Sequence, residues 1–145
     1  MATISVVIPS WNDARLLQGC LEALAAQTRT PEEIIVVDNG SRDQTAEVGR
    51  AAGARVVNEP QRGVLRATAK GFDAARFEII GRLDADSRPG PDWVARVERA
   101  FDADPTMCVL TGTGVFYSTN RFWEWVGHHI YLGGFFRFIG LLCGH

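Results

Sequence analysis

Ile4-Ser5-Val6-Val7-Ile8-Pro9-Ser10-Trp11-Asn12 is the stretch on which the reading of this chain turns. Ile4 to Ile8 is short, rich in β-branched residues, and apolar at both alternating positions but for one serine. A strand with no solvent side belongs in a parallel sheet covered by helices on both faces. Pro9 is expected to end the strand, because it has no N–H to donate. The polar residues that follow then emerge at its carboxyl end.

The same unit recurs along the chain. Leu16, Leu17, Cys20, Leu21 and Leu24 fall at helical spacing, with Asn12 or Asp13 as the cap. Ile34-Ile35-Val36-Val37 is a second buried-type strand running into Asp38-Asn39-Gly40-Ser41. Ser41 and Gln44 fit a capping box for a helix through Ala46 and Val48 to about Ala52. Arg55-Val56-Val57-Asn58 is a third, shorter strand, followed by the loop Glu59 to Gly63 and a helix from Val64 to Ala75. Phe77 to Leu83 is a fourth strand, entering Asp84-Ala85-Asp86. Pro91 suits the first turn of a helix whose buried face is Trp93, Val94, Val97 and Phe101. Cys108-Val109-Leu110 begins a fifth strand directed through Gly112 and Gly114 towards Phe116. Strand–helix alternation of this kind predicts an α/β fold, with a Rossmann-like, mostly parallel sheet flanked by helices.

Ligands of such sheets bind beyond the carboxyl ends of the strands. Three polar clusters fall there: Pro9-Ser10-Trp11-Asn12, Asp38-Asn39 and Asp84-Ala85-Asp86. Carboxylates two residues apart, if locally extended, point to one side, and such a pair suits a hard divalent cation that keeps waters and shares a diphosphate. The competing reading is solvated loop charge. Asp38 is placed to accept a hydrogen bond from a base imide, or else to close a turn. Trp11 offers a stacking face for a base, or half-buried core surface. Arg62, Arg66 and Lys70 line up to meet diphosphate oxygens, or form a solvated basic face.

Composition excludes several classes. The 145 residues are 46% hydrophobic and 22% charged, values of an ordinary globular chain. A net charge of −2 argues against nucleic-acid binding through bulk positive charge. Cys20, Cys108 and Cys143 form no CxxC pair and read as small apolar residues in a reducing compartment. No G-x-G-x-x-G, Walker A or G-x-S-x-G pattern occurs, and His128, His129 and His145 lack metal-ligand spacing. The N-terminus opens with no pattern of a secretory signal, and the expected location is cytoplasmic or peripheral to the inner face of the membrane.

Beyond Val115 the character changes. Nine of the fourteen aromatic residues lie between Phe116 and Phe138, with Arg121, Glu124 and Arg137 the charges among them. The stretch 125–143 is a poor membrane span because it holds two histidines, an arginine and glycines. It fits a surface buried against a missing half, a second copy or the face of a membrane. Residues 1–115 are thus expected to form the ligand-binding α/β domain, and 116–145 the incomplete start of a second region in a chain truncated at its C-terminus.

Taken together, Ile4 to Asn12, Glu33 to Thr45, Ile79 to Asp86 and Pro91-Asp92-Trp93 resemble the nucleotide-sugar half of a family 2 glycosyltransferase of the GT-A fold. The resemblance covers roughly residues 3 to 115. It implies a nucleoside diphosphate sugar donor, with UDP-sugar favoured, and a divalent metal, magnesium or manganese. It also implies transfer with inversion to an acceptor left open, lipid-linked or polysaccharide. Pro9, Trp11 and Asp38 match the base-binding positions, with Ser10, Asn12 and Asn39 beside them. Asp84, Ala85 and Asp86 match the metal and ribose/diphosphate motif, Asp86 as the direct ligand and Asp84 as the second. The chain departs from the family where a second acidic residue often follows the base-binding aspartate, here Asn39. It departs again after Gly63, where Arg66-Ala67-Thr68-Ala69-Lys70-Gly71 replaces an Ala-Arg-Asn-x-Gly pattern and leaves Arg66 and Lys70 as substitutes. The catalytic base is expected beyond His145. The rival readings are a sugar-phosphate nucleotidyltransferase, disfavoured because the first loop lacks glycine and basic residues, and a nucleotide-binding module without turnover.

Overall fold

Strand β1 spans Ile4–Ser10 and every one of its residues is buried. In the computed structural model, which describes residues 2–112, the chain divides into two compact units, 1–107 and 108–145. The first carries all the regular elements among the described residues. After β1 come α1 (Ala14–Ala25), β2 (Glu33–Asp38), α2 (Thr45–Ala51), β3 (Arg55–Asn58), α3 (Val64–Ala74), β4 (Ile79–Arg82) and α4 (Trp93–Ala103). The sheet order is β3-β2-β1-β4, and every pairing is parallel.

Alternation along the strands sorts the core into two layers. Ile4, Val6, Ile8 and Val36 face Leu17, Cys20, Leu21 and Leu24 of α1 and Val94 of α4. Val7, Ile35 and Val37 face Ala67 of α3. Each fully buried Ile, Leu or Val removes apolar area from water worth about 1.5–3 kcal/mol, which is why β1 and β2 hold the centre. Burial pushes the Cys20 thiol up to about 11, against the pull of nearby Arg88. That is the behaviour of a core cysteine, whereas Cys108 is exposed and Cys143 lies outside the described residues.

Several local expectations need correction. β1 does not stop at Pro9, which pairs with Val37 within the strand. Val7 O accepts from Leu83 N on the β4 side, while Ser10 O accepts from Asn39 N on the β2 side. Pro9, two residues after Val7, therefore turns its missing N–H towards β4 beyond the last paired residues, Val7 and Arg82, and no ladder bond is lost. β4 is four residues long, shorter than the expected 77–83, and lies at an edge of the described sheet. Helix α4 begins at Trp93 with Asp92 as its cap residue, so Pro91 sits just outside it. Its first turn is closed from a distance: Gln27 Oε1 accepts from Val94 N at 3.0 Å, and Gln27 Nε2 donates to Gly90 O at 2.7 Å. Residues 108–112 are not in a strand, and the remainder of the expected fifth strand lies outside the described residues.

At the opposite end of the sheet from the polar loops, Glu33 bonds Arg55 Nε at 2.9 Å and Ser5 Oγ at 3.0 Å. Partial burial pushes its carboxyl up, but these bonds outweigh it and hold the group below its ordinary value of 4.5. A depressed folded-state value stabilises the fold above pH 4.5, and that stability is lost as pH falls through the folded value. Glu33→Gln is expected to flatten the acid limb of a urea-midpoint-versus-pH profile; an unchanged slope would contradict the linkage.

α3 lies close on the sheet because position 71 has no side chain. A Cβ on Gly71 would come within 2.3 Å of Val7 Cγ1 and 2.9 Å of Val37 Cγ2, both in the core. Gly71→Ala is expected to destabilise by about 1–3 kcal/mol through overpacking, read from urea unfolding, even though alanine is the better helix former.

Candidate nucleotide-binding cleft

The chain adds β2 and β3 on one side of β1 and then crosses to place β4 on the other. The strand order reverses between β1 and β4, and at such a switch point the loops leaving the two strands part to form a crevice. A cleft of about 390 Å³ opens there. Pro9, Ser10 and Trp11 line it from the end of β1, Asn39 from β2, Arg62 and Gly63 from the β3–α3 loop, and Asp84, Ala85 and Asp86 from the end of β4. The structure thus brings together members of all three polar clusters marked in the sequence.

Trp11 is 42% exposed, and the Arg62 guanidinium lies over its ring, 3.6 Å from the centroid. A cation over an indole face is favourable by about 0.5–2 kcal/mol, so the β1 and β3 loops close on each other there. Ala85 is buried in the core while the flanking Asp84 and Asp86 are exposed, although Ala85 and Asp86 sit in a turn and not in the extended backbone foreseen. Arg82 Nη2 meets Asp84 Oδ1 at 2.5 Å. Arg88 anchors the segment to α1, donating to Leu16 O at 3.2 Å.

Other expected site residues stand elsewhere. Asp38 does not line the cleft; its Oδ1 accepts from Ser41 N at 3.0 Å, which is turn chemistry. Asn12 adopts a φ of 53°, a left-handed conformation asparagine tolerates. It ties the β1 loop to the β2 loop, accepting from Arg42 N at 2.8 Å. Arg66 bonds Gln61 Oε1, and neither Arg66 nor Lys70 is among the lining residues. Arg62 is the basic residue that reaches the cleft. Asn39 lines it but has its carboxamide engaged by the Glu59–Gly63 loop. Asp13, Leu16 and Val64 also line the cleft without having been singled out as site residues. Leu16 was expected on the buried face of α1 and is 42% exposed, one position off the Leu17–Cys20–Leu21–Leu24 stripe, which was the available signal.

The capping box expected of Ser41 and Gln44 does not form. Ser41 Oγ instead accepts from Asn12 N at 3.0 Å, and Gln44 makes no side-chain cap bond. Asp43 does the work for two helices, accepting from Thr45 N and from Ala14 N, each at 3.1 Å, at the starts of α2 and α1. Desolvation raises its carboxyl, and the bonds from Thr45 and Ala14 overcome this and hold it below the ordinary carboxylate range.

A crevice at the carboxyl ends of parallel strands, with an aromatic face, an arginine and two neighbouring carboxylates, defines a class: α/β proteins that hold a nucleotide at the switch point of the sheet. The sequence matches the model of glycosyl transferase family 2 over residues 5–143. The chain belongs to that family, and its parallel sheet flanked by helices is of the GT-A type. It is 32% identical to the glycosyltransferase AglE of Haloferax volcanii over 120 residues, 77% of this chain and 36% of AglE. It is 33% identical to the undecaprenyl-phosphate 4-deoxy-4-formamido-L-arabinose transferase of Pseudomonas fluorescens over 118 residues, 72% of this chain and 35% of that protein. Among solved structures it resembles glucosyl-3-phosphoglycerate synthase of Mycobacterium tuberculosis in complex with Mn2+ and UDP-glucose. The TM-score there is 0.56 and the identity 31%, covering 65% of this chain and 37% of that one. The chain therefore spans little more than a third of the length of these relatives.

Asp43→Ala removes the acceptor that serves both helix starts and is expected to cost about 0.5–2 kcal/mol. Gln44→Ala is expected to leave the unfolding midpoint within experimental scatter. The reverse order in urea titrations would restore the capping box.

Proposed function

We propose that this chain is the donor-binding part of a metal-dependent glycosyltransferase. It takes a nucleoside diphosphate sugar, UDP-sugar favoured, and passes the sugar to an acceptor hydroxyl with inversion. The observation that carries this reading is the gathering of Trp11, Arg62, Asp84 and Asp86 around one cleft at the switch point of the sheet. Trp11 supplies a stacking face for the base, and Arg62 a positive charge close to it. Asp38, beside the cleft rather than in its wall, keeps a second carboxylate oxygen for the base imide while the first holds the turn.

The carboxylates fit a hard divalent cation, magnesium or manganese. Asp84 and Asp86 offer oxygen ligands on the cleft wall, and among the described residues no group of three or more His, Cys, Asp or Glu side chains is poised around a metal. The remaining positions fall to water and diphosphate oxygens, the usual arrangement for a metal on a nucleoside diphosphate. When bound, the cation neutralises charge that develops on the departing diphosphate. From the resemblance to the family motif, Asp86 is assigned as the direct ligand and Asp84, which pairs with Arg82, as the second.

In the reaction so read, an acceptor hydroxyl attacks the anomeric carbon and gives up its proton to a base. The bond from that carbon to the diphosphate oxygen breaks, and the configuration inverts. This chain's described residues hold the donor and its charge. The base is not assigned to a described residue, and an acceptor carried on a lipid phosphate, as the name of the P. fluorescens relative indicates for that protein, would place the reaction at the face of a membrane. Among the described residues no helix is long and apolar enough to cross a membrane.

Calorimetry with UDP tests this reading. Binding is expected with manganese or magnesium and is expected to fall away in chelator. Asp86→Ala is expected to abolish the cation dependence, and Asp84→Ala to weaken it less. Trp11→Ala is expected to cost about 1–3 kcal/mol through lost stacking. Asp38→Asn, which keeps an acceptor for Ser41 N–H, should weaken UDP without altering the cation dependence. Equal affinity with and without chelator would remove the metal, and unchanged affinity in both base-side variants would move the base elsewhere.

A further inference from the structure

We infer that Asn39 is a positioning residue for the donor cleft, acting through the Glu59–Gly63 loop to set Arg62 against Trp11; the inference rests on the nucleotide-binding reading above. Asn39 follows β2 directly, is 4% exposed, and its N–H donates to Ser10 O at 2.9 Å, so its backbone is fixed by the sheet. Its carboxamide makes three bonds, all to one loop. Nδ2 donates to Glu59 O at 2.8 Å and to Gln61 O at 2.9 Å, and Oδ1 accepts from Gly63 N at 2.8 Å. Two carbonyls on one side and an N–H on the other admit a single orientation of the amide.

The loop wraps around this group, and the one residue between its bonded members Gln61 and Gly63 is Arg62. With both neighbours tied to Asn39, the Arg62 backbone has little freedom, and its guanidinium reaches Trp11. Gly63 completes the device. Its φ of 140° is a conformation that side-chain-bearing residues rarely adopt, and it turns the N–H towards Asn39 Oδ1.

The requirement is for a short side chain bearing two donors and an acceptor in one plane. A carboxylate has the same size and no donor, so Asp at position 39 would set negative oxygens against two carbonyl oxygens. The Asn-for-acid departure at this position is thereby a chemical necessity of the loop and not a neutral exchange. Because the carboxamide is engaged by the loop, Asn39 acts on a bound nucleotide through Arg62.

The test is a double-mutant cycle on UDP affinity in the presence of manganese, using the full chain. Asn39→Asp is expected to weaken UDP about tenfold or more, and Arg62→Ala to weaken it comparably. The Asn39→Asp effect is expected to shrink to less than about twofold in the Arg62→Ala background. Trypsin cleavage after Arg62, without nucleotide, is expected to accelerate in Asn39→Asp relative to other arginine sites. If Asn39→Asp unfolds the chain, Gly63→Ala keeps the amide and strains the loop, and the same loss and the same dependence on Arg62 are expected. Equal losses in both backgrounds, or parent-like UDP binding in Asn39→Asp, overturn the inference. If the parent chain itself fails to bind UDP, the nucleotide reading fails; the trypsin arm then still judges the clamp, and unchanged cleavage after Arg62 rejects it.

Discussion

Everything at the cleft depends on β1 being paired in parallel on both sides while buried on both faces. Parallel pairing sends the carboxyl ends of all four strands to one rim. Burial of Ile4, Val6, Val7 and Ile8 fixes the register, because a one-residue slip would exchange the two core layers. The reversal of strand order at β1 then decides where on the rim the loops separate. Trp11 and Asp84 face one space because they leave adjacent strands that diverge after Val7 and Arg82.

The loops themselves are held by a different kind of force. Few of their residues are apolar and buried, and their shape comes from side chains that capture backbone groups far away in sequence. Asn12 and Ser41 join the β1 and β2 loops, Asp43 joins the β2 loop to the start of α1, and Asn39 binds the β3 loop. A net hydrogen bond contributes about 0.5–1.5 kcal/mol, so each link is weak alone. Set on a sheet buried on both faces at its centre, a handful of such links suffices to define one arrangement. They can also be altered by a ligand more readily than the core could be, which would suit the proposed admission and release of a nucleotide.

That division explains what could be read from the amino-acid order. β1 and β2 were legible as nearly uninterrupted apolar runs, and α1 and α4 as periodic ones, because core burial writes a local pattern. Pro9 misled because a proline's effect depends on which neighbour its nitrogen faces, and that is set by where β4 ends. The capping box misled because Ser41 found a partner 29 residues away, at Asn12 N, that no window around the helix contains. At the site, the carboxylate pair and Trp11 were legible as polar interruptions at strand ends. Arg66 and Lys70 were read as substitutes for the family's pattern after Gly63, yet of the three basic residues it is Arg62, on the loop, that lines the cleft. The buried carboxamides of Asn39 and Gln27 left little local trace, since all their partners but the Ala23 carbonyl, which Gln27 also bonds, lie 20 to 67 residues away.

The charge arrangement around the cleft follows from these constraints. The cleft wall carries Arg62, over Trp11, and three carboxylates, Asp13, Asp84 and Asp86, of which Asp84 pairs with Arg82. A polyanionic diphosphate is repelled by the carboxylates and attracted by Arg62. A divalent cation would offset the charge of Asp84 and Asp86 and leave Arg62 unchanged. Exposed ion pairs such as Arg82–Asp84 contribute little stability, about 0–1 kcal/mol, so Asp84 is released from Arg82 at small cost when a stronger charge arrives. The wall is therefore net acidic without ligand, and the proposed diphosphate would be drawn to it only together with a metal. That coupling gives a physical reason for nucleotide and cation to bind as a pair.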